Sequence, residues 1–270
     1  MPNVELSKAP CPTVLKADLG LMPSGILKPF SILLSSPNLG EEAAAGLNRT
    51  EDRYSTAYLD GIAGRLYTSV LADILDGLGF RHQVMRPEVR PLYSGAKVAG
   101  RAATMLVVEV SDVPAKPYRL LMELLDSIKT GEIVVAGVQG TACAAIWGEL
   151  LSTHTRAQGG RGAVLDGLCR DSRPIIDMRF PVFATGSSPA DSKGRLEVIS
   201  IRGDIPVGGV TVADGDLVVA DEDGCVVVPS AVEAEVVTQA LAKVAGENTV
   251  RELLLQGASI RTVFQDHGVL

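Results

Sequence analysis

The chain has 270 residues, of which 46% are hydrophobic and 21% are charged, a composition that supports a substantial folded core and excludes a wholly disordered protein. Lys and Arg number 25 against 32 Asp and Glu, and the net charge of −7 argues against nucleic acid as a partner because it repels phosphates. Only 4% of the residues are aromatic, so few side chains are available to stack on bases.

The cysteine pattern and the hydrophobic runs indicate the compartment. The four cysteines form no C-x-x-C pair, so the sequence predicts neither a zinc knuckle nor a disulfide framework. No apolar run reaches the roughly 20 residues of a membrane-spanning helix, and no cationic leader followed by an apolar stretch begins the chain. We therefore expect a cytoplasmic protein without membrane association.

The N-terminal half begins with an irregular segment. Residues 1–50 contain six prolines and little periodicity, which predicts an extension without regular structure. From Arg65 to Leu78 apolar residues recur at helical spacing, and the following Gly79 is typical of a helix end. Residues 95–110 are rich in β-branched and small side chains and predict a strand, whereas residues 118–128 return to a helical period.

The middle of the chain alternates predicted strands and helices. The strands are GEIVVAG, GAVLDG and PVFATG, and the helices between them are in ACAAIWGELLSTHTRAQ and SRPIIDM. This order is typical of parallel βαβ units.

The remainder of the core has a different pattern. LEVISIR, GVTV, DLVVA and CVVVP predict short strands, and Asp214-Gly215 and Asp223-Gly224 between them favour tight turns. These features predict an antiparallel layer. The C-terminal residues show a long helical pattern that Gly257 and Ser259 divide into two.

Two of the predicted βα connections carry polar residues, Gly148-Glu149 and Arg170-Asp171. Ligands of open α/β sheets bind at the carboxyl ends of the strands, so we expect these residues to lie together. A helix starting near Gly148 would offer free N–H groups to a carboxylate, and Arg170 would offer a planar fork of donors to another oxygen. Asp171 is a hard ligand suited to Mg²⁺ or Mn²⁺. The pattern predicts an oxo-acid site.

The same residues also have simpler interpretations. Arg170 and Asp171 are equally consistent with a solvated ion pair, and Glu149 with a favourable acid in the first turn of a helix. Trp147 either walls a pocket or only packs. His154 has no second His nearby in the sequence and is not expected to bind a metal.

Other motifs narrow the choice of function. The sequence contains no G-x-G-x-x-G, no G-K-[ST], no H-E-x-x-H and no G-x-S-x-G, so nucleotide-binding and serine-hydrolase functions lack their usual signatures. Cys143 and Cys169 flank the candidate site, but we expect small buried side chains there rather than nucleophiles.

The segment WGELLSTHTRAQGGRGAVLDGLCRDSRPI, followed by FPVFATG, resembles the family of the regulator of ribonuclease activity A and the 4-hydroxy-4-methyl-2-oxoglutarate aldolases, which are class II pyruvate aldolases. The resemblance covers roughly residues 66–270 and includes the closing VRELLLQGASIRTVFQDHGVL. It implies an α/β swivelling domain of β/β/α type, assembled as trimers or hexamers with the active site between subunits. We therefore expect a catalytic domain over residues 51–240 and a helical segment over 241–270 that packs on a neighbouring subunit.

The resemblance also implies residue roles. Arg170 would bind substrate and stabilise the pyruvate enolate, Asp171 would help to hold the divalent ion, and Glu149 would position the water that handles protons. The substrate carboxylate is expected on the backbone of Gly148, Leu150 and Leu151. With a metal and an Arg on an α-keto acid, the charge left by C3–C4 cleavage would be stabilised.

Two further expectations concern residues away from these loops. The family's second metal ligand is a Glu from a neighbouring subunit, which falls on Glu247, with Glu252 as the alternative. Where the family often has an Asp at the end of the preceding strand, this chain has Val135-Ala136-Gly137, which suggests a different substrate preference.

The sequence therefore favours a divalent-metal-dependent lyase that cleaves a 4-hydroxy-2-oxo diacid to pyruvate and a second keto acid. Oxaloacetate decarboxylation is the expected side reaction, because both reactions pass through pyruvate enolate. The alternative is a non-catalytic oligomer that binds and inhibits a ribonuclease. A different transformation of oxo-acids or sugar acids on the same fold also stays open.

Overall fold

The computed structural model describes residues 53–140 and 143–268, so the predicted extension over residues 1–50 lies outside the described residues. In these ranges the helices are α1 (Thr56–Arg65), α2 (Thr68–Gly77), α3 (Arg119–Asp126), α4 (Glu149–Ala157), α5 (Ser172–Asp177), α6 (Glu233–Leu255) and α7 (Ile260–His267). The first strands are β1 (Arg90–Pro91), β2 (Val98–Glu109), β3 (Glu132–Gln139), β4 (Ala145–Trp147), β5 (Gly162–Asp166), β6 (Leu168–Cys169) and β7 (Val182–Ala184). The later strands are β8 (Gly186–Ser187), β9 (Leu196–Ile201), β10 (Ile205–Val207), β11 (Val210–Val212), β12 (Leu217–Asp221) and β13 (Gly224–Val228).

The first two helices differ from the prediction at one end. The helix predicted from Arg65 begins at Thr68, because Leu66 is extended (φ −108°, ψ 156°) and ends the separate helix α1, which the periodicity does not predict. Leu66 is fully buried, so its place in the apolar period reflects packing between the helices. The predicted end is confirmed: the Phe80 N–H donates to the Leu75 carbonyl at 2.8 Å, as in a Schellman motif.

A mixed eight-stranded sheet dominates the described part of the chain. Its order is β1-β7-β5-β3-β2-β12-β13, with β9 also paired to β2. The neighbours β2, β3, β5 and β7 run parallel, which confirms the βαβ units. Strand β2 pairs with β3 on one edge and with β12 and β9 in turn on the other.

The predicted antiparallel strands are confirmed as antiparallel, but most of them extend the central sheet. Strands β12 and β13 form a hairpin at Asp223-Gly224 and join β2, whereas β10 and β11 pair only with each other. Asp214-Gly215 lies between β11 and β12, which do not pair, so it makes a turn without a hairpin. At the C-terminus, the predicted division near Gly257 separates α6 from α7.

A second, small parallel sheet lies beyond the carboxyl ends of the parallel strands. Its order is β4-β6-β8, and β6 and β8 directly continue β5 and β7 after a single intervening residue. The small sheet packs against one apolar cluster through Trp147 and Cys169. The cluster also includes residues of α3, β3, β5 and β7. The loops at the carboxyl edge of the parallel strands are therefore fixed to a rigid core. No helix in the described ranges combines the length and apolarity needed to cross a membrane.

Candidate active site

The two polar loops predicted from the sequence lie side by side. Strands β4 and β6 run parallel with Trp147 opposite Cys169, and the Arg170 N–H donates to the Trp147 carbonyl at 2.9 Å. Gly148 follows one strand and Arg170 the other, so pairing of the strands brings the two βα connections together.

Gly148 is in direct contact with the second loop. A Cβ atom at this residue would lie 2.7 Å from Asp171 Oδ2 and 3.2 Å from Arg170 Cγ, so the close approach requires glycine. The backbone N–H of Glu149 donates to the same Oδ2 atom at 3.3 Å. The Asp171 carboxylate is therefore held against the first turn of α4.

The N-terminus of α4 presents free backbone donors beside this carboxylate. The first N–H that bonds within the helix is that of Ser152, which donates to the Gly148 carbonyl at 3.1 Å. The N–H groups of Leu150 and Leu151 precede it and have no partner within the helix. Because a helix N-terminus carries partial positive charge, these amides can receive an anion such as a carboxylate.

Asp171 has a left-handed backbone, with φ 56° and ψ 38°. Residues held in such regions cost about 1–3 kcal/mol and tend to occur at functional sites. Its neighbours fix the conformation, because the Arg170 N–H bonds to Trp147 and the Ile175 N–H donates to the Asp171 carbonyl at 3.2 Å.

Arg170 lies between two carboxylates. Its Nε atom is 3.6 Å from Asp171 Oδ2, and its Nη1 atom donates to Asp191 Oδ1 at 3.2 Å. The second oxygen of Asp191 accepts a hydrogen bond from the Tyr118 hydroxyl at 3.3 Å.

Neither Asp191 nor Tyr118 is among the site residues predicted from the sequence. One signal for Asp191 was present, because it follows β8, and β8 ends at the same edge as β4 and β6. Tyr118 precedes α3 and carries no motif that would have pointed to the site.

These residues line a cavity of about 270 Å³. Its polar lining residues include Arg170, Asp171, Asp191 and Tyr118. Its apolar lining residues include Leu121, Met122, Leu125, Ile146, Trp147, Leu150 and Leu151. An apolar pocket with a few convergent polar groups is the usual form of a small-molecule site.

Trp147 both packs and walls the cavity. Its side chain is almost fully buried, and its Nε1–H donates to Ser152 Oγ at 2.8 Å. The Ser152 hydroxyl in turn donates to the Gly148 carbonyl at 3.0 Å. This chain of bonds ties the start of α4 to the cavity wall.

Glu149 and His154 stand apart from the cavity. The Glu149 carboxylate accepts a hydrogen bond from Thr153 Oγ1 at 2.7 Å, one turn along α4, so only its backbone N–H contacts Asp171. His154 Nε2 lies 3.3 Å from Asp126 Oδ1 on another helix. Neither side chain is among the residues that line the cavity.

The cysteines nearest the site have contrasting positions. Cys169 is buried, burial raises the pKa of its thiol, and Sγ lies 3.6 Å from Ser187 Oγ. A buried thiol of raised pKa suits packing better than nucleophilic attack. Cys143 is exposed, unlike the small buried side chain expected from the sequence.

Within one chain, Glu247 is away from this cavity. It lies on α6, accepts a hydrogen bond from the Tyr67 hydroxyl and is 4.0 Å from Lys243 Nζ. Burial, with the bond to Glu247, raises the pKa of Tyr67 to about 12, so the phenol stays a donor. The placement of Glu247 beside a neighbouring subunit's cavity therefore stays a prediction.

The charges at the cavity suit a hard divalent ion. Asp171 and Asp191 both face Arg170, so these three side chains sum to −1 before an anionic substrate arrives, and a divalent ion would reverse that sign. Among residues 53–140 and 143–268 no group of three or more His, Cys, Asp or Glu side chains could hold a metal. Mg²⁺ commonly binds through one or two carboxylates and keeps several waters, so Asp171 could hold such an ion.

A family model described as RraA-like, Aldolase/RraA, matches residues 68–227. The chain belongs to the Aldolase/RraA family. The matched region runs from the start of α2 into β13 and contains both loops of the candidate site, which confirms the family that the sequence resembles.

Individual relatives are similar at modest identity. Protein DlpA of Legionella pneumophila is 26% identical over 73% of this chain, which spans only 32% of that protein's length. A Halalkalibacterium halodurans protein named "Putative 4-hydroxy-4-methyl-2-oxoglutarate aldolase" is 29% identical over 67% of this chain and 80% of its own. The crystal structure of Streptomyces coelicolor RraAS2, described as an unusual member of the RNase ES inhibitor RraA family, matches with a TM-score of 0.63 and 29% identity over 69% of this chain and 92% of that one.

Proposed function

We propose that this protein is a divalent-metal-dependent lyase that cleaves a 4-hydroxy-2-oxo diacid, of the 4-hydroxy-4-methyl-2-oxoglutarate type, to pyruvate and a second keto acid. Oxaloacetate decarboxylation is its expected side activity. The observation that carries the proposal is the contact of Arg170 and Asp171 with Gly148 at the start of α4, beside an apolar cavity.

Different residues of the site bind the substrate carboxylate and stabilise the developing charge. The N–H groups of Leu150 and Leu151, with Gly148, bind the substrate carboxylate, because the first turn of α4 leaves its donors free. Arg170 donates to the oxygen on which charge develops as the C3–C4 bond breaks. A donor preorganised for that oxygen lowers the barrier, because it binds the transition state more strongly than the ground state.

Asp171 would hold the divalent ion, Mg²⁺ or Mn²⁺, with Glu247 of a neighbouring subunit as the second carboxylate. Such an ion polarises the substrate's oxo group and neutralises the charge excess at the cavity. Glu149 would position the water that handles protons, which requires its side chain to leave Thr153.

The site would be completed by assembly into a trimer or hexamer. Residues 241–270 would pack on a neighbouring subunit, and three exposed apolar side chains of this region, Leu255, Ile260 and Phe264, support that role. A cytoplasmic location remains a prediction from the cysteine pattern.

A second candidate function rests on the similarity to the RNase ES inhibitor RraA family. In that case the protein would be an oligomer without catalysis that binds and inhibits a ribonuclease. The presence of both Arg170 and Asp171 favours the lyase.

One experiment separates the two. Purified protein is incubated with a panel of oxo-acids, including oxaloacetate and 4-hydroxy-4-methyl-2-oxoglutarate, with and without Mg²⁺, and pyruvate is measured. Metal-dependent release supports the lyase. No release on the whole panel, together with tight binding to a ribonuclease, would replace it with the regulator.

A further inference from the structure

Three polar side chains from distant segments form a chain of contacts at the cavity. The Tyr118 hydroxyl donates to Asp191 Oδ2 at 3.3 Å, and Asp191 Oδ1 accepts from Arg170 Nη1 at 3.2 Å. All three line the cavity, although the sequence points only to Arg170.

The Arg170 guanidinium has three nitrogen atoms, and one of them, Nη2, is left for a ligand. Its Nε atom faces Asp171 and its Nη1 atom faces Asp191. Among the described residues, Nη2 donates no hydrogen bond to the protein. Because a guanidinium is planar, fixing Nε and Nη1 also fixes the direction in which Nη2 points.

Asp191 is attached to the strand that leads into Gly148. It forms an isolated parallel bridge with Ala145, the Ala145 N–H donates to the Ala190 carbonyl at 2.9 Å, and Arg195 Nη1 donates to the Asp191 carbonyl at 2.9 Å. The carboxylate that holds Arg170 is thus fixed relative to the amides of α4.

Tyr118 is suited to stay a donor. It has a left-handed backbone (φ 63°, ψ 11°) immediately before α3 and is partly buried. Burial, followed by the charge of Asp191, raises the pKa of Tyr118, so the phenol keeps its proton at neutral pH.

We propose that Tyr118 and Asp191 are a pair of positioning residues that orient Arg170 toward the substrate oxygen. The proposal rests on the proposed lyase function for its kinetic consequence. Neither residue touches the reacting atoms. They act on the rate by holding Arg170 in place. A misplacement of about 1 Å at a catalytic group can cost on the order of 100-fold in rate.

A double-mutant cycle tests this. Tyr118→Phe, Arg170→Lys and the double variant are compared with the parent in pyruvate release from oxaloacetate with Mg²⁺. We expect Tyr118→Phe to lower kcat about tenfold with little change in KM, because a hydrogen bond to a charged group is lost and Arg170 acts mainly in the transition state. In the Arg170→Lys background the same change should have less than about a twofold effect, because coupled residues are not additive.

A purely structural role gives a different result. Equal losses from Tyr118→Phe in both backgrounds, or no loss in either, would overturn the proposal. Tyr93→Phe is the matched control, since Tyr93 packs against a different cluster and does not line the cavity. Its kcat should match the parent.

A binding measurement keeps this test separate from that of the proposed function. If the parent releases no pyruvate, the lyase proposal fails, and the same cycle is measured as calorimetric affinity for oxalate, a dianion shaped like pyruvate enolate, with Mg²⁺ present. Coupling between Tyr118→Phe and Arg170→Lys in oxalate affinity supports the positioning pair. Additive effects, or no oxalate binding, overturn it.

Discussion

At the scale of single residues, Gly148 allows the Asp171 carboxylate to lie against the start of α4. Its missing side chain leaves the space that Asp171 Oδ2 occupies, and the Glu149 N–H donates to that oxygen. The oxygen belongs to the tip of a half-exposed side chain, so an added methyl group would displace it rather than disrupt the core.

Gly148→Ala should therefore leave the fold intact and remove activity. We expect a change in the free energy of unfolding of roughly 1 kcal/mol, the centre of the distribution for single substitutions, and a loss of kcat on the order of 100-fold from displaced site groups. Urea unfolding and pyruvate release measure the two effects. Gly64→Ala is the matched control, because no heavy atom outside its chain neighbours and the nearby backbone of α1 lies within 4 Å of its Cβ position. An active Gly148→Ala variant would mean that the contact is not needed.

The candidate site could be predicted from the sequence only in part. Gly148, Arg170 and Asp171 follow predicted parallel strands, so a rule of topology places them together. Asp191 and Tyr118 reach Arg170 through tertiary contacts, which the local pattern of residues does not encode. The sequence shows that Gly137 stands where the family often has an Asp. The structure gives the reason that no side chain fits there: a Cβ atom at Gly137 would lie 2.2 Å from the Pro206 carbonyl oxygen.

At the scale of elements, a buried ion pair joins β2 to the start of α6. The Arg101 guanidinium bonds to both carboxylate oxygens of Glu233, at 2.5 and 2.6 Å, and both side chains are almost fully buried. Burial alone would raise the pKa of Glu233, but hydrogen bonds from Arg101 and Arg53 outweigh it, so the pKa lies below its ordinary value.

Glu233→Gln should destabilise the protein by about 3–5 kcal/mol at neutral pH, because it leaves the buried Arg101 charge unpaired. The pKa of Glu233 is lower in the folded state, so the carboxylate contributes stability above its unfolded pKa and loses it as the pH falls. In urea unfolding, the difference between parent and variant should stay constant from pH 7 to about pH 5 and shrink as the pH falls below the unfolded Glu pKa of about 4.3 toward the folded one. A difference that stays constant down to about pH 3 would contradict this assignment. Glu235→Gln, on the exposed side of the same helix, should change stability by less than about 0.5 kcal/mol.

The elements themselves were largely predictable, and the misses have physical causes. Strands β3, β5 and β7 are short buried runs between polar turns, which the sequence marks clearly. Helix α1 was missed because its buried residues Tyr58, Leu59 and Ile62 form too short an apolar pattern. The pairing of β12 with β2 could not be predicted either, because strand partners depend on contacts distant in sequence.

At the scale of the whole molecule, the proposed metal site requires residues of two subunits. Asp171 lines the cavity of its own chain, whereas Glu247 lies on α6 beside Tyr67. Both can serve one ion only if Glu247 approaches from a neighbour.

Mixed oligomers test this arrangement. Asp171→Asn and Glu247→Gln should each be nearly inactive alone, because a divalent ion usually needs one or two protein carboxylates. Co-assembled, they should recover part of the pyruvate-releasing activity, since some interfaces then carry both native residues. No recovery in oligomers whose mixed composition is verified by mass spectrometry would place both ligands within one chain or remove Glu247 from the site.

In the proposed reaction, Arg170 and a divalent ion together drive pyruvate formation. The most direct measurement is pyruvate release from oxaloacetate by EDTA-treated protein before and after Mg²⁺ is restored, for the parent and for Arg170→Lys. We expect no release without the ion, recovery with Mg²⁺ in the parent, and a rate about 100- to 1000-fold lower in Arg170→Lys, because a point charge cannot replace the planar fork at the developing enolate. Equal release with and without the ion, or an Arg170→Lys rate within about twofold of the parent, far from the loss expected for a missing oxyanion donor, would contradict it.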